Sequence, residues 1–508
     1  MTQYPAADTG PPWARLDRRM LLVHPVTEVV KFIPVLIGSV ILGTSSGNPA
    51  WSIIPLALIV GFALTRWFTT TYRVGPTHVE LRTGLVQRRE LSVPRSRIRS
   101  VDIESDLLHR ALGLSVVVIG TGQQADSGEK FKLDSLDARV VPALRTELLA
   151  HTARPAPATP AAGESEDEAA QAHPAAREIG HWRPEWVRYA PLSLTGFAVI
   201  APIVGAAFQY GLGERLFESD AAQDIGEGTA AAIALVALGL FAAIVLLVSL
   251  AACTRYLTTY FGLRVLHNGR TLHVRHGLFT TRQITLDLAR FRGATVNEPL
   301  LLRLSGAAEL EAIMVGENPR QKILPQAPRA AVERTLGELL DSGARTDRTP
   351  LAQMSARLTR HGPAARRRRY FRALSPVVLL ALAVLAFALE GPIPPWWWLL
   401  PGLTAIVAIA LAEDRYRGLG HTVLPRTGTS PAWLITRSGC LDRDRDCLEA
   451  PGVIGWTVRQ SFWQRRAGLA TVIAATAAGK KRYLVIDIPL AQAWSLIESV
   501  TPGALGSR

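Results

Sequence analysis

Two glycines recur with a spacing of 29 residues at three places along this chain. The three couples are Gly84 with Gly113, Gly277 with Gly306, and Gly439 with Gly468. An arginine stands three residues before each second glycine, at Arg110, Arg303 and Arg465. Equal spacing in otherwise diverged segments indicates that one folding unit has been copied. We therefore predict three versions of a single module.

Long apolar runs precede each copy in pairs. They cover residues 32–42, 51–64, 189–210, 230–253, 373–389 and 396–412. A hydrocarbon core of about 30 Å needs about 17–25 helical residues. The third and fourth runs meet that length, and the first does so only if it extends back through Lys31. The second, fifth and sixth are short, so that marginal spans and buried helices both remain open. We predict a multi-pass membrane protein with up to six helices in three hairpins.

Basic residues are concentrated outside the helix pairs, whereas the turns within the pairs contain a single arginine, Arg215. Lysine and arginine accumulate on cytoplasmic loops, so we expect both termini and all three modules on the cytoplasmic side of the cell membrane. This topology explains most of the net charge of +14. We expect no nucleic-acid binding, because the chain has no basic face interleaved with aromatic residues. Its three cysteines support neither a disulfide framework nor a zinc site, and residues 1–20 lack the apolar segment of a signal peptide.

Within a module the pattern is that of short strands followed by a helix. Asn268-Gly269 between two apolar stretches indicates a hairpin, and residues 491–500 have helical spacing. Residues 151–180 are rich in alanine, proline and glutamate and predict a disordered linker. The expected boundaries are a tail 1–25, hairpin 26–70, module 71–150, linker 151–185, hairpin 186–254, module 255–342, basic linker 343–370, hairpin 371–413, module 414–500 and tail 501–508.

The segment that follows the first turn glycine resembles a known family. Arg97-Ile98-Arg99-Ser100-Val101 and the turn 107–114 are similar to the bacterial pleckstrin-homology-like (PH-like) domain of the second bacterial type, as found in multi-pass membrane proteins. The third copy keeps 462–469 and 475–479, whereas the second lacks the leucine that usually follows its glycine, Gly306. The resemblance implies partly open β-barrels closed by a C-terminal helix. It implies no activity, because one fold hosts many functions.

Basic residues are the candidate binding groups. Arg110, Arg303 and Arg465 are candidates either for structural capping of backbone carbonyls or for bidentate contact with lipid phosphate. The run Arg366, Arg367, Arg368 and Arg369 borders the fifth apolar run, where it could orient the helix or bind anionic lipid. Arg97 and Arg99 add a basic strand surface to the first module, suited to lipid or to a partner protein.

Two motifs imitate catalytic or metal sites. Residues 43–47 match the G-x-S-x-G pattern of hydrolases, but they fall between two helices, where the required strand–turn–helix context is missing. Residues 442–446 alternate aspartate and arginine like the start of a calcium loop, but Cys447 stands where that loop needs glycine. We instead expect this charged run to be a solvated strand edge.

The predicted fold is an α+β membrane protein in which three transmembrane helix hairpins alternate with three PH-like modules. We found no nucleophile–base pair, metal cluster or phosphate loop, so we expect no enzyme, no cofactor and no metal. The predicted function is a membrane-anchored scaffold whose modules bind a protein partner, each other or the inner-leaflet surface. A smaller one-module relative is one candidate partner. The alternatives are a sensor of anionic lipid and a transporter or transporter subunit.

Overall fold

The computed structural model describes residues 12–32, 35–36, 39–40, 43–44, 47–48, 50–84, 88–98, 100–120, 131–149, 177–193, 201, 205, 209, 230–316, 320–341, 352–427 and 431–504. The chain forms two compact units. Unit 1 comprises Met1–Ala175 and Thr271–Asp287, and unit 2 comprises Ala176–Arg270 and Leu288–Arg508.

The described elements follow one another in a repeated order. Up to residue 149 they are β1 (Ala14–Arg15), α1 (Met20–Lys31), α2 (Ala50–Thr69), β2 (Thr71–Val74), β3 (His78–Thr83), β4 (Arg89–Pro94), β5 (Ser100–Ser105), α3 (Leu107–Ala111), β6 (Leu114–Gly120), β7 (Phe131–Asp137) and α4 (Val141–Leu149). From residue 177 to 341 they are β8 (Arg177–His181), a 3₁₀ helix (Pro184–Leu192), α5 (Ala230–Tyr260), β9 (Arg264–His267), β10 (Thr271–His276), β11 (Thr281–Asp287), β12 (Phe291–Pro299), α6 (Leu300–Leu304), β13 (Ala307–Met314), β14 (Arg320–Pro328) and α7 (Arg329–Asp341).

The last part of the chain repeats the same order. It contains α8 (Ala352–Ser355), α9 (Gly362–Glu390), a 3₁₀ turn (Pro395–Trp398), α10 (Leu399–Arg417), β15 (Gly420–Leu424), β16 (Trp433–Gly439), β17 (Asp442–Glu449), β18 (Val453–Arg459), α11 (Phe462–Arg466), β19 (Leu469–Thr476), β20 (Arg482–Pro489) and α12 (Leu490–Val500). Each copy thus has a first group of strands, a second group interrupted by a five-residue helix, and a closing helix. The predicted strands and closing helices are present, with ends shifted by a few residues.

The strands of unit 1 form antiparallel sheets. One sheet has the order β1-β2-β3-β4, and in the other the strands of unit 1 run β7-β6-β5-β11-β10. The core of unit 1 contains side chains such as Ile98, Val101, Val117, Leu133 and Leu148, all 0% exposed. It therefore lies between the strands of the first copy and α4.

Unit 2 contains a six-stranded sheet of order β14-β13-β12-β17-β16-β15 and a three-stranded sheet of order β18-β19-β20. Strands β8 and β9 form an antiparallel pair. The core of the third copy includes Leu434, Leu448, Val472 and Ile488, which come from both sheets, together with Ile497 from α12. Ile313 from the second copy is part of the same buried cluster.

The six repeated glycines occupy matching backbone positions. The first glycines have φ of 108° (Gly84), 118° (Gly277) and 111° (Gly439). The second glycines have φ of 68° (Gly113), 71° (Gly306) and 66° (Gly468). A Cβ at Gly277 or Gly439 would lie 1.9 Å from a backbone carbonyl oxygen, so that only glycine fits there. The repeated glycines therefore mark turns that have the same geometry in all three copies.

Three described helices are long and apolar enough to cross a membrane: Ala234–Tyr260 with 27 residues, Gly362–Glu390 with 29 and Pro395–Arg417 with 23. The fifth and sixth apolar runs, which look short by sequence, gain length because their helices continue through charged residues at the ends. The apolar helices Met20–Val29 and Ile53–Thr69 are shorter. Most of the first and third runs lies outside the described residues.

Candidate functional site

The first junction between copies is a strand pair inside unit 1. Strand β11 of the second copy pairs antiparallel with β5 of the first, through Thr281 and Ser105, Arg282 and Glu104, and Gln283 and Ile103. An ion pair of 3.1 Å joins Arg282 Nη2 to Glu104 Oε1. The two copies therefore share one continuous sheet.

Arg110 fastens this first junction. It lies on α3, and its Nη2 donates to the carbonyl oxygen of Leu278 at 2.9 Å. Its Nη1 donates to Thr281 Oγ1 at 3.2 Å. Leu278 directly follows the turn glycine Gly277. The guanidinium thus caps the exposed carbonyl of a tight turn that belongs to the next copy.

Arg303 has the same role at a second junction, inside unit 2. Strand β17 of the third copy pairs with β12 of the second. The Arg303 Nη1 group donates to the carbonyl of Cys440 at 3.4 Å, and Nη2 donates to Asp414 Oδ1 at 3.0 Å. Cys440 follows the turn glycine Gly439. At both junctions, therefore, the arginine that precedes the second glycine caps the turn of the following copy.

The two junctions also have one strand register. In both, the residue nine positions before the second glycine of one copy faces the residue five positions after the first glycine of the next. Glu104 faces Arg282 at the first junction, and Asn297 faces Asp444 at the second. The Asn297 amide donates to Asp444 Oδ1 at 2.7 Å. Opposed side chains are thus complementary at both places, as cross-strand pairing requires.

Arg465, the third arginine of the set, differs from the other two in its interactions. It lies on α11 and is exposed. Within the described part of the chain its side chain makes no hydrogen bond or ion pair. The three arginines thus occupy one position of the repeat, and two of them cap a neighbouring copy.

The basic residues of the first module divide into buried and exposed groups. Arg97 is exposed, but it lies on a 3₁₀ turn and not on the predicted strand, because the strand begins only at Ser100. Arg99 lies outside the described residues. The neighbouring Arg95 is 5% exposed and donates to the carbonyls of Gly75 at 3.2 Å and Glu147 at 2.6 Å. Arg95, which the sequence did not single out, ties the first hairpin to α4.

Most of the arginine run on α9 is held by carboxylates of unit 2. Arg366 bonds Glu413 at 3.1 Å, and Arg369 bonds Asp487 at 2.8 Å. Arg368 is also ion-paired with Asp487, which is 0% exposed. Arg367 alone of the four is exposed without a partner among the described residues. The run is therefore chiefly an anchor that joins α9 to the third copy.

The first module contains an aspartate–histidine–serine relay resembling a hydrolase triad. His109 Nδ1 lies 2.6 Å from Asp106 Oδ1, and His109 Nε2 lies 3.3 Å from Ser135 Oγ. Burial alone would raise the pKa of Asp106, but its hydrogen bonds and charge interaction with His109 outweigh burial and hold that pKa below its ordinary value. Ser135 is 0% exposed, with φ of 58°. A nucleophile needs access to substrate, and this hydroxyl has none from solvent.

The third module builds the same relay from other residues. Gln464 Nε2 donates to Asp487 Oδ1 at 2.8 Å, and Gln464 exchanges two hydrogen bonds with Ser461 in a capping box. Asp487 matches Ser135 in strand register and also has a positive φ, 60°. Because glutamine cannot act as a general base, we interpret both relays as ties between the five-residue helix and the last strand.

A buried histidine pair lies beside the start of α9. His361 Nδ1 lies 2.7 Å from the Ile486 carbonyl, which can only accept, so that Nδ1 carries the proton. His361 Nε2 then accepts from His421 Nδ1, 2.8 Å away. Burial lowers the pKa of His361 and lowers that of His421 to about 4. The two rings thus hold the segment that precedes α9 against the third copy.

The expectation of a solvated edge at residues 442–446 is wrong. Strand β17 is paired on both sides, with β16 and β12. Its acidic side chains find donors there: Thr295 Oγ1 donates to Asp446 Oδ1 at 2.7 Å, and Lys480 is ion-paired with Asp444. Burial raises the pKa of Asp446 to about 6. The partners of these charges thus come both from the neighbouring copy, through Thr295, and from the third copy itself, through Lys480.

Residues 43–47, which match the hydrolase pattern G-x-S-x-G, include Ser45 and Ser46. These two serines lie outside the described residues. Among the residues that the structure describes, no three histidine, cysteine, aspartate or glutamate side chains are grouped to hold a metal ion. The described residues around the two junctions form capped turns, paired strands and ion pairs. It is suited to joining protein modules.

Comparison with known protein families agrees with this repeated architecture. A family model described as bacterial PH domain matches residues 26–152, 199–340 and 369–501, well over half of the chain. The chain belongs to the bacterial PH domain family. Comparison with curated proteins and with solved structures gave no match. Each match begins in or shortly before the apolar runs that precede a copy and ends near its C-terminal helix. Three bacterial PH domain repeats and apolar helices therefore make up most of the chain.

The strand pairs between PH domains escaped prediction from sequence. The first family match ends at residue 152, yet strand β11, at residues 281–287, pairs with its strand β5. The only available signal was the position of Arg110, Arg303 and Arg465 within the repeat. An arginine at one repeat position is as compatible with capping its own module as with capping the next.

Proposed function

We propose that this bacterial PH domain protein is a non-enzymatic, membrane-anchored scaffold whose PH domains bind each other and a protein partner. The observation that carries the proposal is the pair of junctions β5–β11 and β12–β17. Each joins consecutive PH domains by strand pairing in the same register, with an arginine capping the next turn. Such edge-to-edge addition is a general mode of protein recognition.

The case against an enzyme rests on the relay of the first PH domain. Its chemistry-bearing residues are Asp106, His109 and Ser135, and the serine is buried. Ser461, Gln464 and Asp487 repeat its geometry with a residue that cannot transfer the proton. A shared structural role is the simpler explanation of both sites.

The finer architecture is part of the same proposal. Each PH domain would be a partly open barrel closed by α4, α7 or α12, and the apolar helices would cross the cell membrane in hairpins, with the termini and PH domains in the cytoplasm. Arginines at the ends of α9 and α10 support this orientation. Labelling of single cysteines in intact cells with an impermeant maleimide tests it. Labelling at exposed positions in any PH domain would contradict it.

A second candidate function, sensing of anionic lipid, is favoured by an aromatic surface on α11. Phe462 is 67% exposed and Trp463 is 59% exposed. The Trp463 ring lies 5.9 Å from Phe371 on α9, close to where that helix becomes apolar. Indole rings at this level suit a membrane–water interface, and the exposed Arg367 could meet a headgroup. A transporter is less well supported, because charged residues of the described spans lie at helix ends.

Affinity purification from cross-linked native membranes tests the scaffold proposal. The tagged full chain should retain a protein partner in a fixed ratio after a salt wash, and a tagged unrelated multi-pass protein is the control. Flotation of the purified chain with neutral and anionic vesicles tests the alternative. Recovery of the chain alone, together with salt-sensitive binding to anionic vesicles, would reject the scaffold in favour of the lipid sensor.

A further inference from the structure

The third PH domain ends in a strand edge that its counterparts use. Strand β18 is the equivalent of β5 and β12, since all three pair with the following strand in matching register. Strands β5 and β12 use their second edge for β11 and β17. In the described residues, β18 pairs with β19 alone. Its outer edge therefore keeps unpaired backbone groups, which can accept another strand.

The side chains needed for a junction are already present beside this edge. Arg459 occupies the position that Glu104 and Asn297 occupy at the two junctions, nine residues before the second glycine. It is exposed and makes no hydrogen bond or ion pair with a described residue. Arg465 matches the two capping arginines and is also exposed. The third copy thus supplies both an edge strand and an arginine that can cap a turn, and no described strand lies opposite them.

We infer that the edge of β18, together with Arg459 and Arg465, docks the first-sheet strand of a PH domain on a different polypeptide. This inference rests on the proposed scaffold function and names the partner that it needs. By the register of the two junctions, Arg459 faces the residue five positions after the partner's turn glycine. That residue is a carboxylate in the partner, and Arg465 caps the carbonyl that follows the partner's turn glycine.

A second copy of this chain does not meet these requirements. Its strand equivalent to β11 and β17 is β4, in which Arg89 lies five residues after Gly84. Docking of β4 would place Arg89 opposite Arg459, and like charges directly opposed destabilise a strand pair. The arginines thus select an acidic partner and discourage polymerisation of the chain.

A peptide from the chain itself can serve as the probe. Residues 431–449 contain β16 and β17, with Asp444 five residues after Gly439. We expect the labelled peptide, with Cys440→Ser and Cys447→Ser, to bind the full chain in nanodiscs in an anisotropy titration. An Asp444→Arg peptide should bind about tenfold more weakly. Arg459→Glu in the chain should reverse this preference, whereas Arg465→Ala should weaken both peptides without reversal.

The oligomeric state supplies an independent readout. Mass photometry should find the wild-type chain monomeric, and Arg459→Glu should promote self-association, because it places a carboxylate opposite Arg89 of a second copy. Equal binding of the two peptides, binding of neither, or self-association of the wild-type chain through β4 would overturn the inference. If the peptides fail while a partner still co-purifies with the full chain, the docking edge is wrong and the scaffold proposal survives.

Discussion

Replacing Asp487 with asparagine is expected to destabilise the third PH domain by removing a buried counter-charge. Asp487 is 0% exposed, accepts hydrogen bonds from Arg368 and Gln464, and is ion-paired with Arg369 Nη2 at 2.8 Å. Asparagine tolerates the positive φ of 60° and can still accept from Gln464. The substitution therefore isolates the loss of charge from changes in shape.

The size of the effect follows from the burial of the two guanidinium groups. Removing one partner of a buried ion pair costs about 3–5 kcal/mol. The Arg369 side chain is 5% exposed and that of Arg368 is 16% exposed, so that the second arginine can recover some hydration. We expect the lower end of the range, about 3 kcal/mol. For a domain of about 60–100 residues, that corresponds to a decrease in Tm of about 12–24 °C.

Tryptophan fluorescence during heating of the detergent-solubilised chain measures this change. The matched control is Glu390→Gln, which removes an exposed carboxylate at the end of α9 that makes no hydrogen bond or ion pair with a described residue. The control should leave Tm unchanged. Equal Tm values for the two variants would refute the argument, since they would mean that the arginine run is satisfied by water or lipid rather than by Asp487.

Three further predictions concern other parts of the chain. Arg303→Ala should lower Tm by a few degrees because it removes two hydrogen bonds at the second junction, worth about 1–3 kcal/mol together, whereas Arg465→Ala should not change Tm. Gly439→Ala should destabilise by more than about 3 kcal/mol in chemical denaturation, since its Cβ would meet a carbonyl at 1.9 Å, whereas Gly468→Ala, with open space and φ of 66°, should cost about 1 kcal/mol. The stability that the neutral His421 contributes should be full above about pH 6.5 and be lost as pH decreases toward 4, because the unfolded His421 takes up a proton that the folded ring, with a pKa of about 4, does not. That loss is about 3 kcal/mol, and Tm measured across this range for wild type and His421→Asn should converge at low pH.

The module and its turns could be predicted because glycine positions record backbone geometry locally. Gly277 and Gly439 have positive φ, and a Cβ at either position would clash. The need for glycine at such a turn can therefore be inferred from a single position in the sequence. The same holds for the closing helices, where apolar spacing is a local property. The length of the apolar helices was harder to predict from the sequence. Helix α9 includes an arginine run that the sequence alone indicates as a segment outside the helix.

The interactions between PH domains could not be predicted, because each depends on residues far apart in sequence. Arg368 and Asp487 are separated by 119 positions, and Arg110 and Leu278 by 168. A charged strand such as β17 looks like a solvated edge until its neighbour β12 is known to supply Asn297 and Thr295. Local sequence patterns identify the residues involved, but the fold determines which of them interact.

Cross-strand disulfide formation tests most directly whether consecutive PH domains are joined by strand pairing. Ile103 and Gln283 are directly opposed on β5 and β11, and opposed residues in antiparallel strands have Cα separations of about 4.5–5.5 Å, within disulfide range. In a chain lacking its native cysteines, with a protease site placed in the linker 151–175, Ile103→Cys with Gln283→Cys should keep the two fragments linked after oxidation and cleavage in native membranes. Glu104→Cys with Gln283→Cys should not, because neighbouring strand residues point to opposite faces. Separation of the fragments in both variants would contradict the account.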